Sequence, residues 1–324
     1  MSLIHIPWRD KKIIVDEPII LPYRVRGLYR CRVYGPDRDL RKDTGWFPNL
    51  ITNQGLDYIG TTFLYLSYCA VGTGNGAPAF TDTVLNAQIA SQFNAGGSSP
   101  NNGNGGSNPN FYGYLNMFYN FGQGAAAGNL QEIGIGIDTT THLFSRALIL
   151  NNVGAPTTLT VLANEYLSVS YQLQLYNATT DVSGSVNVSG TVCPYTLRAA
   201  NCGSSSWTMG GFNAYPERAG LRRCTVYNDT VLQPITSGPI GASQGFNDNG
   251  WALGGYTPGN YYIDSTANFS FSQCNGGANN SALCTFGQND QGFGSCQIIF
   301  GATIPKTASQ IMTLTFRQTW GRYP

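Results

Sequence analysis

The chain has 324 residues, of which 42% are hydrophobic and only 11% are charged, whereas charged residues make up about a quarter of a typical soluble domain. The 40 glycines and the low charge favour an all-β protein with long loops over a helical one, because glycine is a poor helix former. The net charge is only +1, and no run of 18 apolar residues is present, which argues against a membrane span.

The first 43 residues differ in charge from the rest of the chain. They carry ten Lys or Arg and six acidic residues, a net charge of +4, whereas the remaining residues carry eight and eleven, a net charge of −3. Prolines separate short apolar runs in this segment, which contain Ile13, Ile14, Ile19 and Ile20. We therefore predict a basic docking arm over residues 1–43 that buries these isoleucines against a neighbouring polypeptide. A solvated basic segment is the alternative.

Within this arm, residues 23–35 (YRVRGLYRCRVYG) alternate apolar side chains with arginines. The pattern predicts a strand with one apolar face and one arginine face. Arginines that share a face repel one another unless a partner supplies carboxylates or carbonyls, so we predict an assembly contact there. The residues of this contact are Arg24, Arg26, Arg30 and Arg32. Nucleic acid is a weaker alternative, because no binding motif or stacking platform accompanies the arginines.

The next part of the chain contains weaker signals. Residues 45–60 show a helical periodicity, and residues 65–75 predict a strand that runs into a glycine turn. Residues 94–110 (NAGGSSPNNGNGGSNPN) have low complexity and predict a long surface excursion. They are followed by an aromatic stretch, FYGYLNMFYNF, at 111–121.

Four strands are predicted in the middle of the chain. Residues 130–138 and 142–150 are separated by a tight turn and predict a β-hairpin. Residues 157–165 predict a weaker strand. Residues 166–176 (YLSVSYQLQLY) alternate apolar and polar side chains more clearly than the other three.

Strands also dominate the C-terminal part, over 186–199, 260–272, 296–305 and the alternating segment within 304–324. Many strands separated by loops, without strand–helix alternation, predict an antiparallel β-sandwich over residues 44–324. We expect loop-rich insertions at about 88–128 and 200–290. A second small β-domain in the latter is the alternative.

Eight cysteines and only two histidines are present, and no two cysteines form a CxxC pair, so the ligand spacing of a zinc site is absent. In an oxidising medium, Cys193 with Cys202 and Cys274 with Cys284 could each close a short loop as a disulfide. Buried free thiols are an equally good interpretation.

Catalytic motifs are absent from the sequence. His5 and His142 have no neighbouring serine–acid pattern, and no nucleophile elbow, zinc-protease or phosphate-loop motif occurs. Glu132, Asp138 and Glu165 would have to converge in space to act as a glycosidase pair. We therefore predict no catalytic residue, no metal site and no cofactor.

Glycan recognition is harder to dismiss. Aromatic side chains in Asn- and Gly-rich segments form apolar platforms with polar edges, which suit stacking against a sugar ring. The possible glycan contacts are Tyr112, Tyr114, Trp207, Trp251 and Tyr256. Packing of the loops themselves is the alternative role for these side chains.

Several segments together resemble a family of structural proteins. The segments are VGTGNGAPAFTDTVL (71–85), EIGIG…LFSRALI (132–149), EYLSVSYQLQLY (165–176) and the terminal IPKTASQIMTLTFRQTWGR. Their order resembles that of tail-fibre, collar and other tail-associated virion proteins of tailed bacteriophages. The matched segments span roughly residues 50–324 and leave the arm outside.

The resemblance implies a non-enzymatic virion protein, made in the bacterial host cytoplasm and present in several copies on the neck or collar, tail fibre or baseplate. Its implied partners are other copies of itself and other virion proteins, with no nucleic acid and no membrane. The missing signal-peptide pattern agrees with cytoplasmic synthesis. The alternatives are a receptor-binding module for host-surface glycan and, less favoured, a polysaccharide depolymerase.

Overall fold

The computed structural model describes residues 12–14, 17–61, 66–94, 101–137, 140–178, 180–188, 191–203, 223–247, 251–276, 280–286 and 295–324. These residues form one helix, α1 (Asn53–Thr61), and 23 strands. The strands are β1 (Lys12–Ile14), β2 (Ile19–Tyr34), β3 (Leu40–Asp43), β4 (Phe47–Pro48), β5 (Leu50–Ile51), β6 (Tyr68–Gly72), β7 (Gln88–Phe93), β8 (Asn101–Gly105), β9 (Tyr112–Phe121), β10 (Gly128–Leu130), β11 (Glu132–Gly136), β12 (Leu143–Leu148), β13 (Leu159–Val161), β14 (Tyr166–Asn177), β15 (Val182–Val188), β16 (Thr191–Ala199), β17 (Arg223–Asn228), β18 (Ala242–Asn247), β19 (Trp251–Leu253), β20 (Tyr262–Phe269), β21 (Ala282–Phe286), β22 (Cys296–Phe300) and β23 (Ile311–Arg322).

The prediction of an all-β fold is confirmed, and the alternation of side chains explains the longest strands. In β23, Met312, Leu314 and Phe316 are buried, while the residues between them are half-exposed. The predicted hairpin is present as the antiparallel pair β11–β12. The predicted short helix is α1, whose Gly55 N–H donates to the Thr52 hydroxyl at 2.9 Å, an N-terminal cap.

A large sheet has the strand order β19-β20-β23-β2-β14-β9-β8, and β1, β3 and β4 pair at its interior strands. The central strand β2 pairs with β14 over Tyr23–Tyr34 on one side and with β23, β4 and β3 in succession on the other. The pairs β1–β23 and β2–β23 are parallel, whereas the other strand pairs among the described residues are antiparallel. The sheet is therefore mixed, because β1 and β2, near the start of the chain, run in the same direction as β23, near its end.

Two further sheets cover the inner face of the large sheet. The five-stranded sheet has the order β5-β12-β11-β6-β7, and the six-stranded sheet has the order β15-β16-β22-β21-β17-β18. The hydroxyl of Tyr29 in β2 lies 2.8 Å from that of Ser145 in the five-stranded sheet. Toward the other end of β2, the N–H of Ile20 donates to the hydroxyl of Tyr195 in the six-stranded sheet at 3.3 Å. One core therefore joins all three sheets. The pair β10–β13 forms a separate two-stranded sheet.

The predicted boundary at residue 43 does not separate an arm from the body. Residues 19–34 form the central strand of the large sheet, and Ile19 and Ile13 are buried inside this chain. Both side chains belong to the core shared by the three sheets, and β1 and the first part of β2 pair in parallel with the C-terminal strand β23. The expectation that these isoleucines need another polypeptide is therefore wrong. Residues 1–11 of the predicted arm lie outside the described residues.

The two expected loop-rich insertions contain sheet strands. Residues 88–128 include β9, a ten-residue strand of the large sheet, together with β7 and β8. The described part of 200–290 supplies β17, β18 and β21 to the six-stranded sheet and β19 and β20 to the large sheet. Their many glycines and asparagines suggested loops, but tertiary packing overrides local propensity in strands.

Candidate binding face of the large sheet

The large sheet has an outer face that points away from the two smaller sheets. The cross-strand register places its side chains in rows, so that Tyr112, Tyr176 and Arg24 share one row and Tyr114, Gln174 and Arg26 share the next. Side chains of opposite parity, such as Tyr23 and Tyr29, are buried in the core. We call the outward side chains of β9, β14 and β2 the outer face: Tyr112, Tyr114, Asn116, Phe118, Asn120, Ser168, Ser170, Gln172, Gln174, Tyr176, Arg24, Arg26, Leu28, Arg30 and Arg32.

Two tyrosine rings lie against glycines of the edge strand β8. Gly103 pairs with Tyr114 and Gly105 pairs with Tyr112 in the β8–β9 register. A Cβ atom on Gly103 would lie 2.7 Å from the Tyr114 hydroxyl oxygen, and one on Gly105 would lie 2.7 Å from Cζ of Tyr112. The missing side chains therefore leave the space in which both rings lie over the neighbouring strand. Both rings stay half-exposed on the outer face, where Tyr112 also packs against Tyr114 and Tyr176.

The centre of the outer face is a chain of hydrogen bonds. The Tyr176 hydroxyl donates to Oε1 of Gln174 at 2.8 Å, Nε2 of Gln174 donates to Oε1 of Gln172 at 2.5 Å, and Nε2 of Gln172 donates to Oδ1 of Asn116 at 2.9 Å. Gln174 and Tyr176 are buried by their neighbours. Since each amide in the chain is held by the next, these side chains form a fixed polar floor.

The four predicted arginines divide into two pairs. Arg30 and Arg32 contact Asp43 at 2.5 and 3.3 Å, and the Arg30 hydrogen bond lowers the pKa of Asp43 to about 2. A neighbouring subunit was expected to supply a carboxylate to these arginines, but the carboxylate comes from this chain. Arg24 and Arg26 form no ion pair within the described residues.

Arg24 and Arg26 lie beside a cluster of tyrosines. The ring of Tyr176 packs against Tyr112 with centroids 5.3 Å apart and against Tyr323 with centroids 4.2 Å apart. Burial raises the pKa of Tyr176, whereas the charge of the nearby Arg26 lowers it. This end of the outer face therefore combines aromatic surface with two positive charges.

The remaining predicted glycan contacts are not brought to this cluster. Tyr256 stacks on Trp320 with centroids 5.6 Å apart and donates its hydroxyl to Asp57 at 2.5 Å, so it packs a loop onto the body. Trp251 begins β19, at the opposite edge of the large sheet from β8. Trp207 lies outside the described residues.

The predicted apolar assembly residues also have different positions. Ile13 and Ile19 are core residues, whereas Ile20 is exposed on the outer side of the large sheet. Ile14 belongs to β1, but its side chain lies outside the described part.

A buried ion pair in the five-stranded sheet was missed by sequence analysis. The side chains of Glu132 and Arg146 are 0% and 1% exposed, and Arg146 Nη2 lies 2.8 Å from Oε2 of Glu132. Arg146 also contacts Asp82 at 2.5 Å and the side chain of Asn86. The signal for this pair in the sequence was a glutamate and an arginine within two strands whose other residues are mostly apolar. Because Glu132 accepts four hydrogen bonds, it is not available as the general acid of a depolymerase.

The cysteines are all buried as free thiols. The predicted disulfides Cys193–Cys202 and Cys274–Cys284 are therefore not formed. Cys193 lies 3.5 Å from the carbonyl oxygen of Ala302. Burial raises the pKa of the Cys202, Cys274 and Cys284 thiols to about 12, which makes them poor nucleophiles at neutral pH.

Among the described residues, no group of three or more His, Cys, Asp or Glu side chains is arranged to hold a metal ion. The described part also contains no helix of the length and apolarity that a membrane crossing requires. Comparison of the chain with family models, curated proteins and solved structures found no match.

Proposed function

We propose that this protein is a structural component of a tailed-bacteriophage particle that assembles through an exposed sheet edge. The ordered resemblance of its segments to tail-associated proteins supports this function, and so does an all-β body with one core. The observation that carries the assembly mechanism is the edge strand β7. We call β7 together with Phe118 the β7 edge.

The β7 edge is open and uncharged, and it exposes large apolar side chains. Strand β7 pairs with β6 on one side, and no described strand pairs with its other side. Its sequence, QIASQF, contains no charged residue and no proline. Ile89 and Phe93 are 45% and 50% exposed. The side-chain amide of Asn94 donates to the carbonyl of Phe118 at 2.9 Å, which places another exposed aromatic residue beside this edge.

An edge of this kind favours pairing with another strand. Natural monomers protect sheet edges with lysine, proline, bulges or covering loops, because the unpaired backbone groups otherwise recruit a strand from another chain. The one bulge in the β6–β7 pair lies at Gly72, opposite the first residue of β7. We infer that a strand of a second copy or of a neighbouring virion subunit completes the β7 edge. This contact replaces the predicted arm, whose residues 19–34 are already paired within the molecule.

Incorporation into phage particles tests the proposal. Particles purified from cells in which the protein is expressed from its phage genome should contain the chain, as detected by mass spectrometry. The double variant Ile89→Lys, Phe93→Lys should be lost from particles, and its purified form should show weaker self-association by light scattering. The control is Val153→Lys, which puts the same charge on an exposed apolar position in a turn. Particles without the wild-type chain would contradict the function, and normal incorporation of the double variant would contradict the β7 edge.

A further inference from the structure

The end of the outer face that contains Tyr112, Tyr114, Arg24 and Arg26 has features that neither folding nor assembly at the β7 edge uses. Strand β14 separates the tyrosines on β9 from the arginines on β2. Neighbouring strands lie about 4.8 Å apart, so the tyrosine and arginine positions are separated by about 9.6 Å across the sheet. The two rows are two residues apart, or about 6.8 Å along the strands. A ligand that contacts a tyrosine and an arginine together therefore has to span about 10 Å across the sheet.

The surface is arranged before any ligand binds. The glycines of β8 position the two tyrosine rings, and the hydrogen-bonded side chains of Gln174 and Tyr176 form the floor between the tyrosines and the arginines. Tyr323 packs on Tyr176 and limits its movement. A site that is already ordered loses less conformational entropy when a ligand binds.

The side chains define the chemistry of the ligand. Aromatic ring faces contact the apolar face of a sugar ring, and their edges and hydroxyls remain polar. A guanidinium binds a carboxylate through two parallel hydrogen bonds. Because Arg24 and Arg26 have no carboxylate partner among the described residues, a ligand that carries a carboxylate complements them.

We propose that this end of the outer face binds a carboxylated oligosaccharide. One sugar ring stacks on Tyr112 or Tyr114, and the carboxylate of an adjacent residue pairs with Arg24 or Arg26. A nucleic acid is a poorer fit, because Asp43 pairs with both Arg30 and Arg32 and lowers the positive charge along β2.

Binding by the purified full chain tests this site, independently of its incorporation into particles. The probes are tetrasaccharides of galacturonate, of hyaluronan and of a sialic-acid polymer, measured by calorimetry at low salt. We expect at least one to bind, with at least tenfold weaker binding to the neutral maltotetraose. Affinity for the acidic probe should fall as salt rises, because the carboxylate contacts are screened.

Two variants locate the site. One is the double variant Arg24→Gln, Arg26→Gln, and the other is the double variant Tyr112→Ala, Tyr114→Ala. Each should reduce the affinity for the acidic probe at least tenfold without changing the circular dichroism spectrum. The control is Arg41→Gln, because Arg41 is an exposed arginine in β3, paired with Asp39 at 2.6 Å, and β3 pairs with the opposite end of β2 from Arg24 and Arg26. The proposal is overturned if none of the acidic probes binds, if both double variants bind as the wild type does, or if a thymidine decamer binds more tightly than every sugar.

Discussion

Replacement of Glu132 by Gln should destabilise the fold strongly. Oε1 of Glu132 accepts from the N–H groups of Gly74 and Ala87 at 3.1 and 2.7 Å. Oε2 accepts from the N–H of Asn86 at 3.0 Å and from Arg146 Nη2 at 2.8 Å. In either orientation, the new amide nitrogen of Gln faces two donors and can accept from neither.

The expected magnitude follows from burial. Removing one partner of a fully buried, hydrogen-bonded ion pair costs about 3–5 kcal/mol of unfolding free energy. In the variant, Arg146 still forms its ion pair with Asp82, whose side chain is 20% exposed. We therefore expect a loss of unfolding free energy near the lower end of this range, about 3 kcal/mol. Loss of these bonds also releases the segment from Gly74 to Ala87, which should exchange its backbone amides faster.

The assay is urea unfolding, followed by tryptophan fluorescence and circular dichroism. The unfolding free energies are compared between proteins whose free energy depends on urea concentration with the same slope. The matched control is Asp264→Asn, which breaks the pair with Arg317 at 2.8 Å, where the side chains are 33% and 32% exposed. An ion pair this accessible to water contributes less than about 1 kcal/mol. If Glu132→Gln costs no more than Asp264→Asn, the buried network does not stabilise the fold as argued.

Two further predictions concern pH and backbone packing. Burial raises the pKa of seven of the eight thiols, for example of Cys31 to about 12, above the ordinary value of 9.0. The unfolded chain therefore loses these protons first, so the thiol contribution to stability should be constant well below pH 9 and fall as the pH rises toward 12, by up to about 1.4 kcal/mol per pH unit for each thiol. An unchanged melting temperature between pH 8 and 10.5 would contradict this. Gly55→Ala should destabilise the protein by about 1–3 kcal/mol despite the helix propensity of alanine, because the new methyl group would collide with the carbonyl of Phe144. Gly122→Ala, where a Cβ meets no atom within 4 Å, is the control, and equal melting temperatures of the two variants would refute the steric explanation.

The proposed glycan site was predictable only in part. The aromatic stretch at 111–121 indicated Tyr112 and Tyr114, because such side chains in a Gly- and Asn-rich context are candidates for sugar stacking. The separation of Arg24 and Arg26 from Arg30 and Arg32 could not be predicted, since it depends on Asp43 returning beside β2 through the pair β2–β3. The space that Gly103 and Gly105 leave for the two tyrosine rings depends in the same way on tertiary structure, through the register of β8 against β9.

The buried network was also beyond the reach of the sequence, which could not choose between disulfides and buried free thiols either. Glu132 and Arg146 meet because β11 and β12 pair as a hairpin, which was predicted, but their other contacts come from the loop that ends at Ala87. Two cysteines close in sequence satisfy the length requirement of a disulfide, yet a bond also requires a particular distance and direction between the side chains.

The sequence by itself determined that the chain is built from strands and which face of each long strand is apolar, because successive side chains of a strand point to opposite faces. Apart from the β11–β12 hairpin, only the tertiary structure decided which strand pairs with which. The apolar face of residues 19–34 had to be buried, but alternation specifies a buried face and not the chain that buries it. The face is covered by the five- and six-stranded sheets of the same polypeptide, and residues 19–25 pair in the large sheet with the strand at 311–322, so the predicted docking arm is the centre of a sheet.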